Sequence, residues 1–272
     1  MSSEGAFRKA APVRSGDLAS GIDNIVLLAS YPKTGSTWLR RTLIEMFVPG
    51  GDLREIVPSF LKSFPEKSPA FDILSNQCRI IKTHLFPEHP TFALVRGNIK
   101  GVITIKRHPL DVLLSSLNYA GFKEYAPGFM GGTIKTVDEI IADGEMQHYI
   151  EQFIENDGFP WHDPQSGAFS KYMPQWRSLA ADVPYLELCF ENMVADPKSV
   201  TVEIAGFLCT QTDEAAIAGV VNRANAHTRQ DGKFYWSRRA YNYESRLPKA
   251  MSDDFNNRYR HVLDDLGYKQ RP

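Results

Sequence analysis

Cysteine is scarce. Only Cys78, Cys189 and Cys209 occur in 272 residues, with no CxxC pair and no histidine beside them at zinc-ligand spacing. That argues against a disulfide scaffold and a structural zinc site, and a reducing compartment is expected. Each cysteine sits in an apolar run and reads as a small buried hydrophobe. Long apolar stretches are missing too: no run approaches the ~18 residues of a membrane span. The opening MSSEGAFRKAAPVRSG is polar and lacks the apolar centre of a secretory signal. A cytoplasmic chain is the expectation, with no membrane partner. Charge of one sign is also lacking, since 31 Lys and Arg stand against 32 Asp and Glu for a net of -1. Such a balance supplies no basic field for nucleic acid, although it can conceal a local basic pocket. Internal repeats and low-complexity blocks are absent. What is present, 43% hydrophobic and 23% charged residues, is the composition of a globular protein and not of a fibre, coiled coil or disordered chain. The length suits one large domain. Residues 1–20, rich in Ser, Gly, Ala and Pro, read as a loose arm before a single domain over 21–272.

Continuous apolar runs set the organisation. Ile25–Ala29 lacks alternation, as a strand buried on both faces does. Leu39, Leu43 and Phe47 then share one helical face over 37–47. Further strands are predicted at 79–83, 101–105 and 185–190, and helices at 111–119, 137–155, 168–181, 197–208, 213–224 and 251–265. Strands alternating with helices predict an α/β fold, a central and mainly parallel sheet flanked by helices. Residues 120–135 and 157–167 read as aromatic-bearing loops.

Three segments carry chemistry. Ser30-Tyr31-Pro32-Lys33-Thr34-Gly35-Ser36-Thr37-Trp38 lies between the first strand and the first helix. A turn there aims backbone N–H groups and the positive end of a helix at one point, which makes an anion site. Gly35 permits close backbone approach, Lys33 adds a point charge, and Ser36 and Thr37 add hydroxyls. The Walker pattern GxxxxGK(S/T) is absent, because here the lysine precedes the glycine. The second segment pairs Arg107, at a strand end, with Ser115, eight residues on in the next helix, and both can face a second phosphate. The third is Lys82-Thr83-His84-Leu85, where a histidine at a strand end is placed to take a proton. Lys33, Lys82, Lys106 and Arg107 all fall at strand ends expected to share one sheet edge.

These residues carry a family resemblance. YPKTGSTW resembles the 5′-phosphosulfate loop of the sulfotransferases that use 3′-phosphoadenosine 5′-phosphosulfate (PAPS). KRHPLDVLLSS resembles their 3′-phosphate segment, and KTHL the segment with their catalytic histidine. The order is also theirs, ending in Phe190-Glu191-Asn192-Met193, and the spacing spans residues 25–205. Phe190 stands where many members have tyrosine. The late Arg-Lys-Gly is not present as such; Arg238-Arg239-Ala240 is the nearest match, and an exposed charged turn is an equally open reading. Lys198–Glu203 resembles a dimerisation motif of the family, but its place directly after Met193 reads better as a core helix.

The resemblance implies sulfuryl transfer from PAPS to a hydroxyl or amine, leaving PAP, with no metal. It implies His84 as general base, and Lys33 and Lys82 as cations at the transferring group. Lys33, Thr34, Gly35, Ser36 and Thr37 would hold the 5′ end, with Trp38 and Phe190 beside the adenine. Arg107 and Ser115, with Arg238 and Arg239, would hold the 3′-phosphate. Two other readings share the anion site. A nucleotide-dependent kinase is disfavoured by the lysine placement, and an inactive nucleotide-binding module by the presence of His84 and Lys33. The partner expected is a small-molecule or carrier-bound acceptor. Tyr119, Phe122, Tyr125, Phe129, Phe159 and Trp161 read either as an apolar acceptor pocket or as core packing. The stretch 120–165 is the expected lid, with Gly121, Gly128, Gly131 and Gly132 as hinges.

Overall fold

A computed structural model describes residues 24–60, 68–123, 135–159, 166–229 and 239–268. In chain order the elements are β1 (Ile25–Ala29), α1 (Ser36–Phe47), α2 (Leu53–Ile56), β2 (Ser59–Phe60), β3 (Arg79–Thr83), β4 (Ile99–Lys106), α3 (Pro109–Lys123), α4 (Val137–Ala142) and α5 (Met146–Glu155). After them come α6 (Phe169–Arg177), β5 (Tyr185–Cys189), α7 (Phe190–Ala195), α8 (Pro197–Phe207), α9 (Glu214–Arg229), α10 (Asn242–Arg246), α11 (Lys249–Arg258) and α12 (Arg260–Asp265). Among the described residues the strands form one sheet in the order β2-β3-β1-β4-β5. Every pairing in it is parallel. The α/β expectation is met.

β1 lies at the centre, and all five of its residues are fully buried, which is why its sequence is an unbroken apolar run. Strand alternation sends Ile25, Leu27, Ile81 and Val102 to one face, against Leu113, Ile150, Phe153 and Trp176. Val26, Leu28, Ile80 and Ile103 go to the other, against Leu39, Leu43, Ile204 and Val220. Chain order departs to either side of β1, so β1 and β4 flank the switch point where open α/β sheets take ligands.

Most boundaries fall within a residue or two of expectation. The helix predicted over 137–155 is divided between α4 and α5, because Gly144 takes a φ of 75 and ends the first helix. This part of the expected lid is core, contributing Ile140, Ile150 and Phe153. Phe190 opens α7 instead of ending β5. The 198–203 stretch lies in α8, with Val200 and Thr201 buried, as a core helix requires. Of the cysteines only Cys78 is buried; Cys189 is half-buried, and Cys209 is exposed in the turn after α8, a correction to the expectation that all three lie inside. Residues 1–20 and Arg238, Tyr125, Phe129, Trp161, Gly128, Gly131 and Gly132 lie outside the described residues, as does the side chain of Phe122.

Candidate anion and proton-transfer site

The loop after β1 is tied down on both sheet faces. Ser30 N–H donates to the Thr83 carbonyl at 3.2 Å, extending the β1–β3 ladder by one residue. Tyr31 turns to the opposite face, where its ring meets Phe169 and Tyr172 edge-on and its hydroxyl accepts from Phe159 N–H at 3.2 Å. Burial pushes that hydroxyl up to about 12. Thr34 Oγ1 donates to the Tyr31 carbonyl at 2.8 Å, so this threonine shapes the loop. Gly35 caps α1 in the left-handed region with no side-chain cap, and no acidic residue occupies the first turn. A helix start of this kind offers its amides and its positive end to an anion.

Gly35 is required on two counts. Its φ is 109, and a Cβ there would stand 2.5 Å from Cδ2 of Phe190. The Phe190 ring thus fills the space beneath the loop. Trp38 meets it edge-on with 6.0 Å between ring centroids, and the Arg107 guanidinium lies over it at 4.1 Å. Arg107 is buried, donating from Nη1 to the Lys33 carbonyl at 3.3 Å and from Nη2 to Asp111 Oδ2 at 3.5 Å. Its Nε, also buried, has no hydrogen-bond partner among the described residues. An orphaned guanidinium donor beside an uncapped helix start suits an oxyanion ligand.

Lys33 sits with its ammonium 4.0 Å above the Tyr119 ring. Burial, aided by the neighbouring Arg107 charge, lowers its pKa to about 7. Arg107 just ahead of α3, and Asp111, Ser115 and Tyr119 on it, recur every four residues and so share one side. Asp111 meets Arg107 and Tyr119 meets Lys33, which puts half-buried Ser115 on the same stripe. Tyr119 is therefore a site neighbour, whereas Phe159 is core packing.

Lys82 near the end of β3 and His84 just after it share the parity of Ile80, on the α1 side of the sheet. His84 Nδ1 stands 2.6 Å from the Ser30 carbonyl, with Ser30 Oγ at 3.3 Å. A carbonyl only accepts, so Nδ1 carries the proton and, in the neutral ring, Nε2 keeps its lone pair. The β1 loop thus sets the tautomer a general base needs.

Lys106 does not join this cluster. Its parity is that of Val102 and Thr104, so it points to the opposite face and donates to Glu187 Oε1 at 2.8 Å. Arg177 completes that ion group, with Nε 2.6 Å from Glu187 Oε2. Arg239 is exposed three residues before α10. Among the described residues no group of three or more His, Cys, Asp or Glu could hold a metal ion. No described helix is long and apolar enough to cross a membrane.

Sequence reasoning gave no site role to Asp111 or Glu191, and left Tyr119 open between acceptor pocket and core packing. The four-residue spacing behind Arg107 would have found Asp111 and decided the open reading of Tyr119. Glu191, which accepts from His108 N–H at 2.9 Å, leaves no such trace.

The family model for the sulfotransferase domain matches residues 23–267. Sulfotransferase 1A1 of Mus musculus is 26% identical over 210 residues, 74% of this chain and 65% of that relative, so the matched stretch spans just under two thirds of its length. Sulfotransferase 1B1 of the same species is 23% identical over 239 residues, covering 84% of this chain and 70% of that one. The crystal structure of mouse sulfotransferase SULT7A1 complexed with PAP shares the fold, with a TM-score of 0.61 and 17% identity over 93% of this chain and 90% of that one.

Proposed function

Because the chain belongs to the sulfotransferase family, we propose that it moves a sulfuryl group from PAPS to a hydroxyl or amine, releasing PAP and a sulfate ester or sulfamate. The observation that carries this reading is the convergence of three things on one sheet edge: an uncapped helix start, the neighbouring charges of Lys33 and Arg107, and a histidine whose tautomer is set by a backbone carbonyl. Relatives named for sulfotransferase activity, and a neighbour of the same fold holding PAP, support it.

The donor supplies the sulfuryl group and a phosphate leaving group. The chain supplies position and charge, as in phosphoryl transfer. Amides of Gly35, Ser36 and Thr37, with Thr34 shaping their loop, receive the 5′ end. Trp38 and Phe190 border the adenine. Arg107, Ser115 and Arg239, together with Arg238, take the 3′-phosphate. His84 Nε2 accepts the acceptor's proton as its oxygen or nitrogen bonds to sulfur. As the bridging S–O bond breaks, Lys33 and Lys82 balance the charge left on the 5′-phosphate. No step calls for a metal. Neither alternative draws support from the site: the loop is not the Walker arrangement of a kinase, and an inactive module has no use for a set tautomer.

The reading extends to one domain over 21–272 in the cytoplasm, acting on a small or carrier-bound acceptor, with neither nucleic acid nor membrane as partner. Tyr119 would border that acceptor from its place beside Lys33. His84→Ala tests the chemistry. Turnover measured with labelled PAPS across phenols, sterols, sugars and amines should fall by about 10²–10⁴, the share of a general base. Calorimetric affinity for PAP should stay within threefold, and parallel loss of both would make His84 structural.

A further inference from the structure

Two carboxylates lie buried behind Arg107, and neither has a part in the proposed chemistry. Asp111 is fully buried: Oδ2 takes Arg107 Nη2 at 3.5 Å, and Oδ1 accepts from Tyr243 N–H at 3.0 Å. Glu191 is buried as well. Its Oε1 accepts from His108 N–H at 2.9 Å, while Oε2 accepts from the Tyr268 hydroxyl at 2.8 Å and faces the Cys189 thiol at 2.9 Å. His108 completes the arrangement. Its Nδ1 accepts from Leu110 N–H at 3.3 Å, and its ring stacks on Tyr243 at 4.4 Å and meets Tyr268 edge-on at 5.2 Å.

A buried carboxylate is costly unless its oxygens are filled. Among the described residues they are filled by two sets of groups. One is the Arg107–His108 turn with its neighbours on β5 and α3. The other is the chain after α9, represented by Tyr243 and Tyr268. The pair therefore fastens the last part of the chain to the turn that presents Arg107. The hydrogen bonds of Arg107 to the described residues are long, at 3.3 and 3.5 Å, so its aim depends on how firmly that turn is held.

Taking Arg107 as the 3′-phosphate ligand, as in the proposed function, we propose that Glu191 and Asp111 are positioning residues that set discrimination between 3′-phosphorylated and unphosphorylated nucleotides. They do so by clamping the Arg107 turn to the C-terminal Tyr243 and Tyr268. Neither touches the ligand. The phosphate meets a guanidinium whose backbone is fixed at His108 and whose side chain is braced at Nη2.

The test is calorimetric affinity for PAP and for adenosine 5′-monophosphate (AMP), which lacks the 3′-phosphate, in the full chain. Arg107→Ala is the control and should abolish most of the preference for PAP. Glu191→Gln and Asp111→Asn should each weaken PAP about tenfold and AMP less than twofold, the scale of one hydrogen bond to a charged group. Tyr268→Phe, which leaves both carboxylates in place, should lose about threefold of the preference and serves if either carboxamide variant fails to fold. Should Arg107→Ala keep the preference, the assignment of Arg107 itself is wrong. If Arg107→Ala loses it while folded Glu191→Gln, Asp111→Asn or Tyr268→Phe weaken PAP and AMP equally, or weaken neither, the clamp is structural and the proposal is overturned.

Discussion

Gly35 and Lys33 are two residues apart, and the neighbouring packing constrains each of them. For Gly35 the constraint is steric: a φ of 109 and an aromatic carbon 2.5 Å from where a Cβ would be. Gly35→Ala should cost about 1–3 kcal/mol, the range for overpacking combined with a left-handed alanine. A urea transition read by fluorescence checks it. For Lys33 the constraint is electrostatic. Its folded pKa, about 7, lies below the ordinary 10.5, so the unfolded chain holds the proton between those values and the folded chain releases it. Stability from this group therefore rises with pH across that window. Lys33→Met should be more stable than the parent at pH 7, with the advantage shrinking towards pH 10. Denaturant midpoints at pH 7, 8.5 and 10 measure it, and a constant difference would show that Lys33 is not desolvated.

At the scale of elements, β4 and α3 decide which charges serve the site. Adjacent cations at the end of β4 leave on opposite faces, Lys106 to Glu187 and Arg107 to the β1 loop. Lys106→Met should leave PAP affinity within twofold while lowering stability by about 1 kcal/mol, since Glu187 keeps Arg177. Calorimetry and denaturation separate the two effects. β1, β3, β4 and β5 were legible because buried parallel strands are largely apolar runs, the two-residue β2 was not read, and the β1 loop was legible because its residue types have one economical use between a strand and a helix. Side was not read for Lys106, although counting by twos from Val102 would have supplied it. The clamp was illegible for another reason. Spacing can pair Asp111 with Arg107, but Tyr243 lies 132 residues from Asp111 and Tyr268 77 from Glu191, a distance no local pattern spans.

At the scale of the whole molecule, the described residues pack a core on each face of the sheet, and α1 belongs to the core that includes α8 and α9. Far from the anion loop, the fully buried Glu45 of α1 ties the two helices together. It accepts from Arg223 Nε at 3.0 Å and from Gly50 N–H at 3.1 Å, with Arg41 Nη1 at 3.4 Å and His227 Nε2 at 3.3 Å. Glu45→Gln should cost about 1–3 kcal/mol, the value of hydrogen bonds to a charged group. PAP affinity should hold within threefold, because the cluster sits at the other end of α1. Thermal melts with and without PAP test both halves. Such packing has a kinetic corollary at the helix start. Phe190 seated under Gly35 supports the loop from below, so the loop should keep its shape when a nucleotide departs. Ordering is completed during folding instead of at encounter, so capture is governed by diffusion and charge rather than by rearrangement. Amides 38 and 39, which donate to the Gly35 carbonyl, should exchange as slowly in the empty protein as in the PAP complex, whereas amides 35–37 should slow only when PAP takes their hydrogen bonds.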